Sequence, residues 1–437
     1  MRTSIVSLLL ILLISSACTT DMNDNQQENN LQPIKVEIRQ ENGAYQIYRG
    51  GEPYSFNGAG LGGDIRSLKR HGGNSFRTWG VGNRRQSGME VLDDAQAHGM
   101  TVTMCIWVSP ERHGMDYNNE EQVAEQFERI KEEVLAHKDH PALLMWSIGN
   151  ELNLNYTNPK VYEAVNEISK WIHEVDPYHP TTTTLASMNA DVVKNVMEYA
   201  PDLDVLSVQV YGDLFALQEM IEASGWEKPL MVTEWGTIGH WEMPSTEWGA
   251  PIEQTSTEKA ATYLKGYNKS IKPFTDQIIG NYVFLWGQKQ ERTPTWYGLF
   301  LEGGEETESI DVMHYIWNGE WPENRTPKLN EMTLDGKQSR DNVYLQPDQE
   351  YPAAVNTYDY ENDSLIYKWV IMRESEATEE GGDREEIPEH IGTIESATSS
   401  EITLTTPSDE GAYRLFVYVF DGNNHAAHAN IPFFVRK

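Results

Sequence analysis

From residue 54 onward, short apolar runs rich in β-branched and aromatic residues alternate with longer stretches in which apolar positions recur every three or four residues. The short runs are YSFNGAG (54–60), NSFRTWG (74–80), TVTMCIWV (101–108), ALLMWSIGNE (142–151), TTTTLAS (181–187), VLSVQVYG (205–212), PLMVTEWG (229–236) and GNYVFLWG (280–287). Between them lie segments of helical period such as EEQVAEQFERIKEEVLAHK and NPKVYEAVNEISKWIHEV. Near-continuous apolar strands separated by amphipathic helices predict a parallel sheet with helical crossovers. Eight such units within about 270 residues match the size and order of a (β/α)8 barrel. A doubly wound open sheet is the competing topology, but every run ends in polar or aromatic residues, as expected where eight loops converge on one face.

Outside this region the period falls to two. KVEIRQENGAYQIYRGGEPYSFNG alternates around an Asn-Gly pair, a strong hairpin signal. From Asn324 the runs VYLQ, LIYKWVIM, EITLTT, AYRLFVYVF and IPFFV predict a small antiparallel sandwich of immunoglobulin type, with the acidic insert RESEATEEGGDREE as a solvated loop. The sandwich reads as a structural spacer, since its aromatics alternate as core residues do. At the other end, Arg2 and the apolar run IVSLLLILLI lead through small residues to Cys18, a stretch too short to span a bilayer. The division expected is therefore a leader at 1–17, a polar tether at 18–33, an α/β TIM-barrel domain with its N-terminal hairpin at 34–323, and an all-β domain at 324–437.

Composition narrows the partners. The net charge is −33, with 34 basic residues against 67 acidic ones. That balance repels nucleic acid, anionic headgroups and polyanionic substrates, and favours a neutral ligand, although acidity also serves solubility. Thirteen Trp and 21 Tyr supply flat, amphipathic side chains. With Cys18 taken up by the leader, Cys105 has no partner for a disulfide and reads as a buried, inert thiol. No His, Cys or carboxylate spacing suggests a metal, and neither a phosphate-binding glycine loop nor Gly-x-Ser-x-Gly is present, so no cofactor is implied and a monomer is expected.

The chemistry lies at the strand ends. SIGNE and VTE close the fourth and seventh runs with Glu151 and Glu234. In a barrel both would reach the C-terminal face from opposite sides of one mouth. Two carboxyls so placed can cut a glycosidic bond, one protonating the leaving oxygen while the other attacks the anomeric carbon.

On GNE (149–151) and TEWG (233–236) the sequence resembles the retaining (β/α)8 glycoside hydrolases of clan A, which include families 2 and 5. The resemblance implies Glu151 as acid/base, Glu234 as nucleophile and Asn150 as a ligand of the sugar 2-hydroxyl. It further implies that Arg77 hydrogen-bonds the nucleophile, that Tyr211 does related work, and that Trp286 forms an aromatic platform under the sugar. Trp79, Trp107 and Trp235 also fall at strand ends and His113 and His240 in adjacent loops, where they would line the cleft.

Within the clan the layout is most similar to glycoside hydrolase family 158, barrels followed by an immunoglobulin-like domain that act on β-1,3-glucans. Family 2 barrels are close relatives, but their usual preceding sandwich domains are not expected here. The N-terminus resembles a bacterial lipoprotein signal, which implies lipidation of Cys18 and anchoring to the outer membrane, with a cell-surface location expected. The expected activity is a retaining endo-β-1,3-glucanase on neutral polysaccharide. Exo-attack or transglycosylation of the β-mannosidase or β-galactosidase kind remains open, as does a non-catalytic glycan-binding lipoprotein.

Overall fold

The computed structural model describes residues 31–377, 385–396 and 399–437. The leader at 1–17, Cys18 and the tether as far as residue 30 lie outside the described residues, and among those described no helix is long and apolar enough to cross a membrane.

A three-stranded antiparallel sheet opens the fold: β1 (Val36–Glu41), β2 (Ala44–Arg49) and β3 (Glu52–Tyr54). Asn42 and Gly43 both take positive φ (53° and 91°), the two-residue turn whose twist suits a hairpin. Val36 and Ile47 pack with Phe56, Leu144, Met145, Val205, Met231 and Tyr282, so the sheet closes the N-terminal end of the barrel.

The barrel strands are β4 (Gly58–Leu61), β5 (Ser75–Arg77), β6 (Thr101–Ile106), β7 (Leu143–Asn150), β8 (Thr181–Ala186), β9 (Val205–Gln209), β10 (Leu230–Trp235) and β11 (Ile278–Trp286). All pair in parallel, and β9–β10 with β11–β4 close the ring. Each predicted run overlaps one of them, with β4 running one residue past its run and β11 beginning two residues before its own. The helices that follow are α1 (Ile65–Arg70), α2 (Gly88–Ala97), α3 (Glu120–His137), α4 (Lys160–Val175), α5 (Ala190–Tyr199), α6 (Leu217–Ser224), α7 (Ser256–Gly266) and α8 (Glu308–Asn318). Ser87 and Thr255 start α2 and α7 with reciprocal capping boxes to Glu90 and Glu258, satisfying amides the first turn leaves unpaired. Cys105 is fully buried in β6, and burial pushes its thiol up to about 11.

The C-terminal all-β domain comprises β12 (Lys328–Leu334), β13 (Val343–Leu345), β14 (Glu350–Tyr358), β15 (Ile366–Arg373), β16 (His390–Ser396), β17 (Glu401–Thr405), β18 (Gly411–Phe420) and β19 (Ala426–Val435). They form two sheets, β12-β14-β17 and β13-β19-β18-β15-β16, around a core that includes Trp369, Leu404, Tyr413 and Phe433. Strand β14 carries Pro352, which can donate to neither neighbour; β12 pairs with β14 only from Ala353 onward, which leaves the proline at the end of that ladder.

At its described ends the acidic insert departs from the expected solvated loop, residues 378–384 lying outside the described residues. Glu385 is buried and accepts a hydrogen bond from the Arg292 backbone N–H (2.6 Å), in the loop after β11. A buried polar network joins the same regions. Glu253 accepts from Lys259, Thr293, Thr295 and, across the junction, Asn430 of β19. Burial pushes this carboxyl up, but Lys259, His428 and the hydrogen bonds outweigh it and hold it at about 2. Arg414 of β18 extends the network to Asn430, Glu374 and the Pro251 carbonyl.

Candidate active site

Strand irregularities set the direction of both glutamates. The β7–β8 register shifts between Ser147 and Asn150, and the β9–β10 register between Val232 and Glu234. Such bulges at a barrel rim re-aim the side chains that follow. Glu151, just past β7, holds a left-handed backbone (φ 50°) that non-glycine residues rarely adopt. Its carbonyl accepts from Arg112 Nη1 (2.8 Å) and its N–H donates to the Thr184 carbonyl (2.9 Å), so main-chain contacts fix the turn on both sides.

Glu234 is enclosed by donors. Its Oε1 accepts from Arg77 Nη1 (3.0 Å), Trp79 Nε1 (2.8 Å) and Gln209 Nε2 (2.9 Å), and its Oε2 from the Tyr211 hydroxyl (2.8 Å). A group that only accepts, from two residues ending β5 and β9 and two more just past those strands, is arranged as a carboxylate. Arg77 is buried and uses its fork twice, the other arm reaching Asn150 Oδ1 (2.7 Å), which also accepts from Gln209 Nε2 (2.8 Å). The Asn150 oxygen is thereby taken, and its Nδ2 is left to donate.

Glu151 is the opposite case. Burial raises its carboxyl well above the ordinary range, the charge of Glu234 adds to the rise, and Arg112 and Arg77 only partly oppose it. One carboxyl therefore keeps a proton to higher pH beside another held as acceptor, a division that suits an acid and a nucleophile.

Both glutamates line a cleft of about 1100 Å³, with Trp79, Trp107, Asn150, Gln209, Tyr211, His240, Trp241, Phe284 and Ser375 among its walls. Trp241 (61% exposed) and Trp107 (39% exposed) present open aromatic faces, and Trp107 lies stacked at 6.0 Å with His113, also in the wall. His240 bonds through Nδ1 to the Tyr297 hydroxyl (2.9 Å); burial, then Arg292 and Lys289, lower its pKa to about 4, which leaves the ring neutral. Ser375 comes from the C-terminal domain, so the cleft is not built by the barrel alone.

Two expected residues lie elsewhere. Trp286 is fully buried on the outer side of the barrel, against Trp317 of α8 (5.5 Å), Phe300 and His71, and is no platform. A regular strand would return it to the side that Phe284 occupies, but the β4–β11 register shifts between Val283 and Trp286. Trp235 is likewise buried outside, against Tyr263 and Tyr267, with its indole N–H on Asn281 (3.0 Å). Alternation requires this once Glu234 faces inward. The sequence reading passed over Gln209, although it stands two residues before Tyr211, on the same face of an alternating strand. It also missed Arg112, Trp241 and Phe284.

Comparison with known proteins bears on the same region. Residues 55–303 match the family described as glycosyl hydrolases family 2, TIM barrel domain. A beta-galactosidase from Leuconostoc mesenteroides is 22% identical over 318 residues, 69% of this chain and 27% of that protein. A beta-galactosidase from Oenococcus oeni is 22% identical over 39% of this chain and 16% of its own length. The chain thus spans about a quarter or less of the curated relatives it matches. A Rhizomucor miehei beta-1,3-glucanosyltransferase, solved with laminaritriose, shares 15% identity at a TM-score of 0.44, covering 59% of this chain and 97% of that one. With the match running from the first barrel strand past the last, the chain belongs to the glycosyl hydrolase family 2 TIM-barrel family.

Proposed function

We propose that the chain is a retaining β-glycoside hydrolase that cuts a neutral polysaccharide, acting as an endo-β-1,3-glucanase on laminarin-type glucan. The observation that carries this reading is the pairing of a proton-retaining Glu151 with a donor-enclosed Glu234 across one cleft.

In the first step a Glu234 oxygen attacks the anomeric carbon while Glu151 gives its proton to the glycosidic oxygen, and the leaving sugar departs as an alcohol. Glu151, now a carboxylate, takes a proton from water, whose oxygen displaces Glu234 and restores the original configuration. Asn150 Nδ2 is available to the 2-hydroxyl, a contact that strengthens as charge develops. Endo action is supported by a cleft of about 1100 Å³ with two exposed tryptophans, larger than the roughly 300–1,000 Å³ that encloses one drug-sized ligand. The net charge of −33 supports a neutral substrate. The β-1,3 linkage rests on the likeness of the barrel-plus-sandwich layout to family 158. The β-galactosidase relatives favour a second reading, exo-cleavage of a terminal galactoside.

The test is incubation with laminarin, mixed-linkage glucan, mannan and galactan, with products sized and their anomeric configuration followed by NMR. The reading expects a ladder of β-configured laminari-oligosaccharides. Glu234→Ala should lose hydrolysis while remaining folded, and Glu151→Ala should retain activity only on aryl glycosides whose leaving group needs no proton. Release of galactose alone would favour the second reading, and full activity in either variant would refute both.

A further inference from the structure

Away from the cleft, three aspartates converge in the C-terminal domain. Asp359 follows β14, Asp363 lies in the β14–β15 loop and Asp421 follows β18; one carboxylate oxygen of each lies within 4.8 Å of the other two. Asp359 is only 7% exposed. Its Oδ1 accepts from the backbone N–H groups of Glu361 (3.1 Å) and Asp363 (2.7 Å), but its Oδ2 is enclosed and takes no hydrogen bond.

A second orphan oxygen belongs to a residue bonded to the cluster. Asn324 donates through Nδ2 to Asp363 Oδ2 (3.1 Å) while its own Oδ1 is buried and unpartnered. A half-turn of that amide would present the oxygen to the cluster instead. Asn423 also points its amide at Asp363 Oδ2 (2.8 Å).

Nothing cationic of sufficient charge is at hand. Among the described residues no Lys or Arg pairs with any of the three aspartates, Arg325 being committed to Asp311 and to the faces of Trp321 and Tyr360. Of the basic side chains described, only His425 contacts the group, through Asp421 Oδ2 (2.8 Å), while Asp421 Oδ1 accepts from the backbone N–H groups of Asn423 (2.7 Å) and His425 (3.2 Å). Two enclosed carboxylates beside a third, one of them with an unsatisfied oxygen, require compensation.

We infer that Asp359, Asp363, Asp421 and Asn324 form a calcium site. The donors are all oxygens, three of them anionic and drawn from loops, which suits a hard cation tolerant of irregular geometry better than magnesium or zinc. The ligands tie together the segment entering β12, the β14–β15 loop and the β18–β19 turn. That turn pairs with the barrel through Glu306, whose N–H donates to the Asn424 carbonyl (2.8 Å) and whose carbonyl accepts from Ala426 (2.9 Å). The ion would thus brace the junction and take no part in hydrolysis.

The experiment uses the full chain, stripped with EGTA, with Ca²⁺ titrated against the thermal midpoint and Tb³⁺ luminescence read from the nearby tyrosines. Half-saturation at about 10⁻⁴ M and a rise in midpoint of roughly 4 °C are expected. Asp363→Asn, at the most exposed of the three aspartates, should weaken the affinity roughly tenfold or more and leave the hydrolysis rate at 25 °C unchanged. Absence of any Ca²⁺ effect would overturn the site. An undiminished response in Asp363→Asn would assign the ions to diffuse surface charge, and equal competition by Mg²⁺ would overturn the choice of ion.

Discussion

Glu151 and Glu234 share a chemistry and differ in surroundings, and that difference governs the response to pH. Because burial and the Glu234 charge raise the Glu151 carboxyl, it stays protonated above the range of an ordinary glutamate and loses its proton, and its capacity as an acid, only as pH rises further. The alkaline limb of kcat/KM is therefore expected well above pH 5, and Glu151→Gln should flatten it on aryl glycosides; an alkaline limb unchanged in that variant would give the titration to another group. These two residues were legible because each closes an apolar run, whereas Arg77, Asn150 and Tyr211 were marked by the resemblance to clan A. Trp235 could have been assigned outward by alternation from Glu234, whereas Trp286 was misread for a definite reason. Composition shows that an aromatic ends a strand, but the face it takes depends on a bulge, and a bulge is a property of two paired strands.

At the scale of elements, the eight barrel strands were readable because a parallel strand covered on both faces is apolar nearly throughout. Strands such as β12 and β14 were not, since Asn330, Glu331 and Pro352 interrupt their alternation. Loops were legible least of all. The loop after β10 brings Trp241 edge-on to Tyr211 at 5.6 Å, with most of its ring open to solvent at the rim. Stacking on a sugar beyond the cleavage point is the use such a ring offers. Trp241→Ala should raise KM for a glucan polymer severalfold, on the order of 1 kcal/mol, while kcat on a small aryl glycoside stays unchanged. An equal loss on both substrates would place its effect on Tyr211 instead.

Across the whole molecule, the junction between barrel and C-terminal sheets carries its own pH dependence. Glu308, at the start of α8, is buried beside Lys328 of β12 and accepts from Thr257 of α7 (2.7 Å). Burial raises its carboxyl from 4.5 to about 7 despite those partners. Between these values the folded state holds a proton that the unfolded chain has released, so stability is full below about pH 4.5 and falls as pH rises through 7. The loss amounts to about 3 kcal/mol. Glu308→Gln should remove it, raising the midpoint relative to the parent at pH 8 and hardly at pH 5; a constant difference at both would remove Glu308 from the account. None of this was visible in the sequence, where Glu308, Thr257 and Lys328 stand far apart.

The network around Glu253 has an evolutionary consequence. Asn430 and Arg414 reach it from β19 and β18, and Ser375 arrives from the same domain to finish the cleft wall. A recombination event that carried the barrel away alone would strip the Glu253–Lys259 pair of a neutral partner and leave the catalytic groove open along one flank. A change in either part therefore reaches the wall of the cleft.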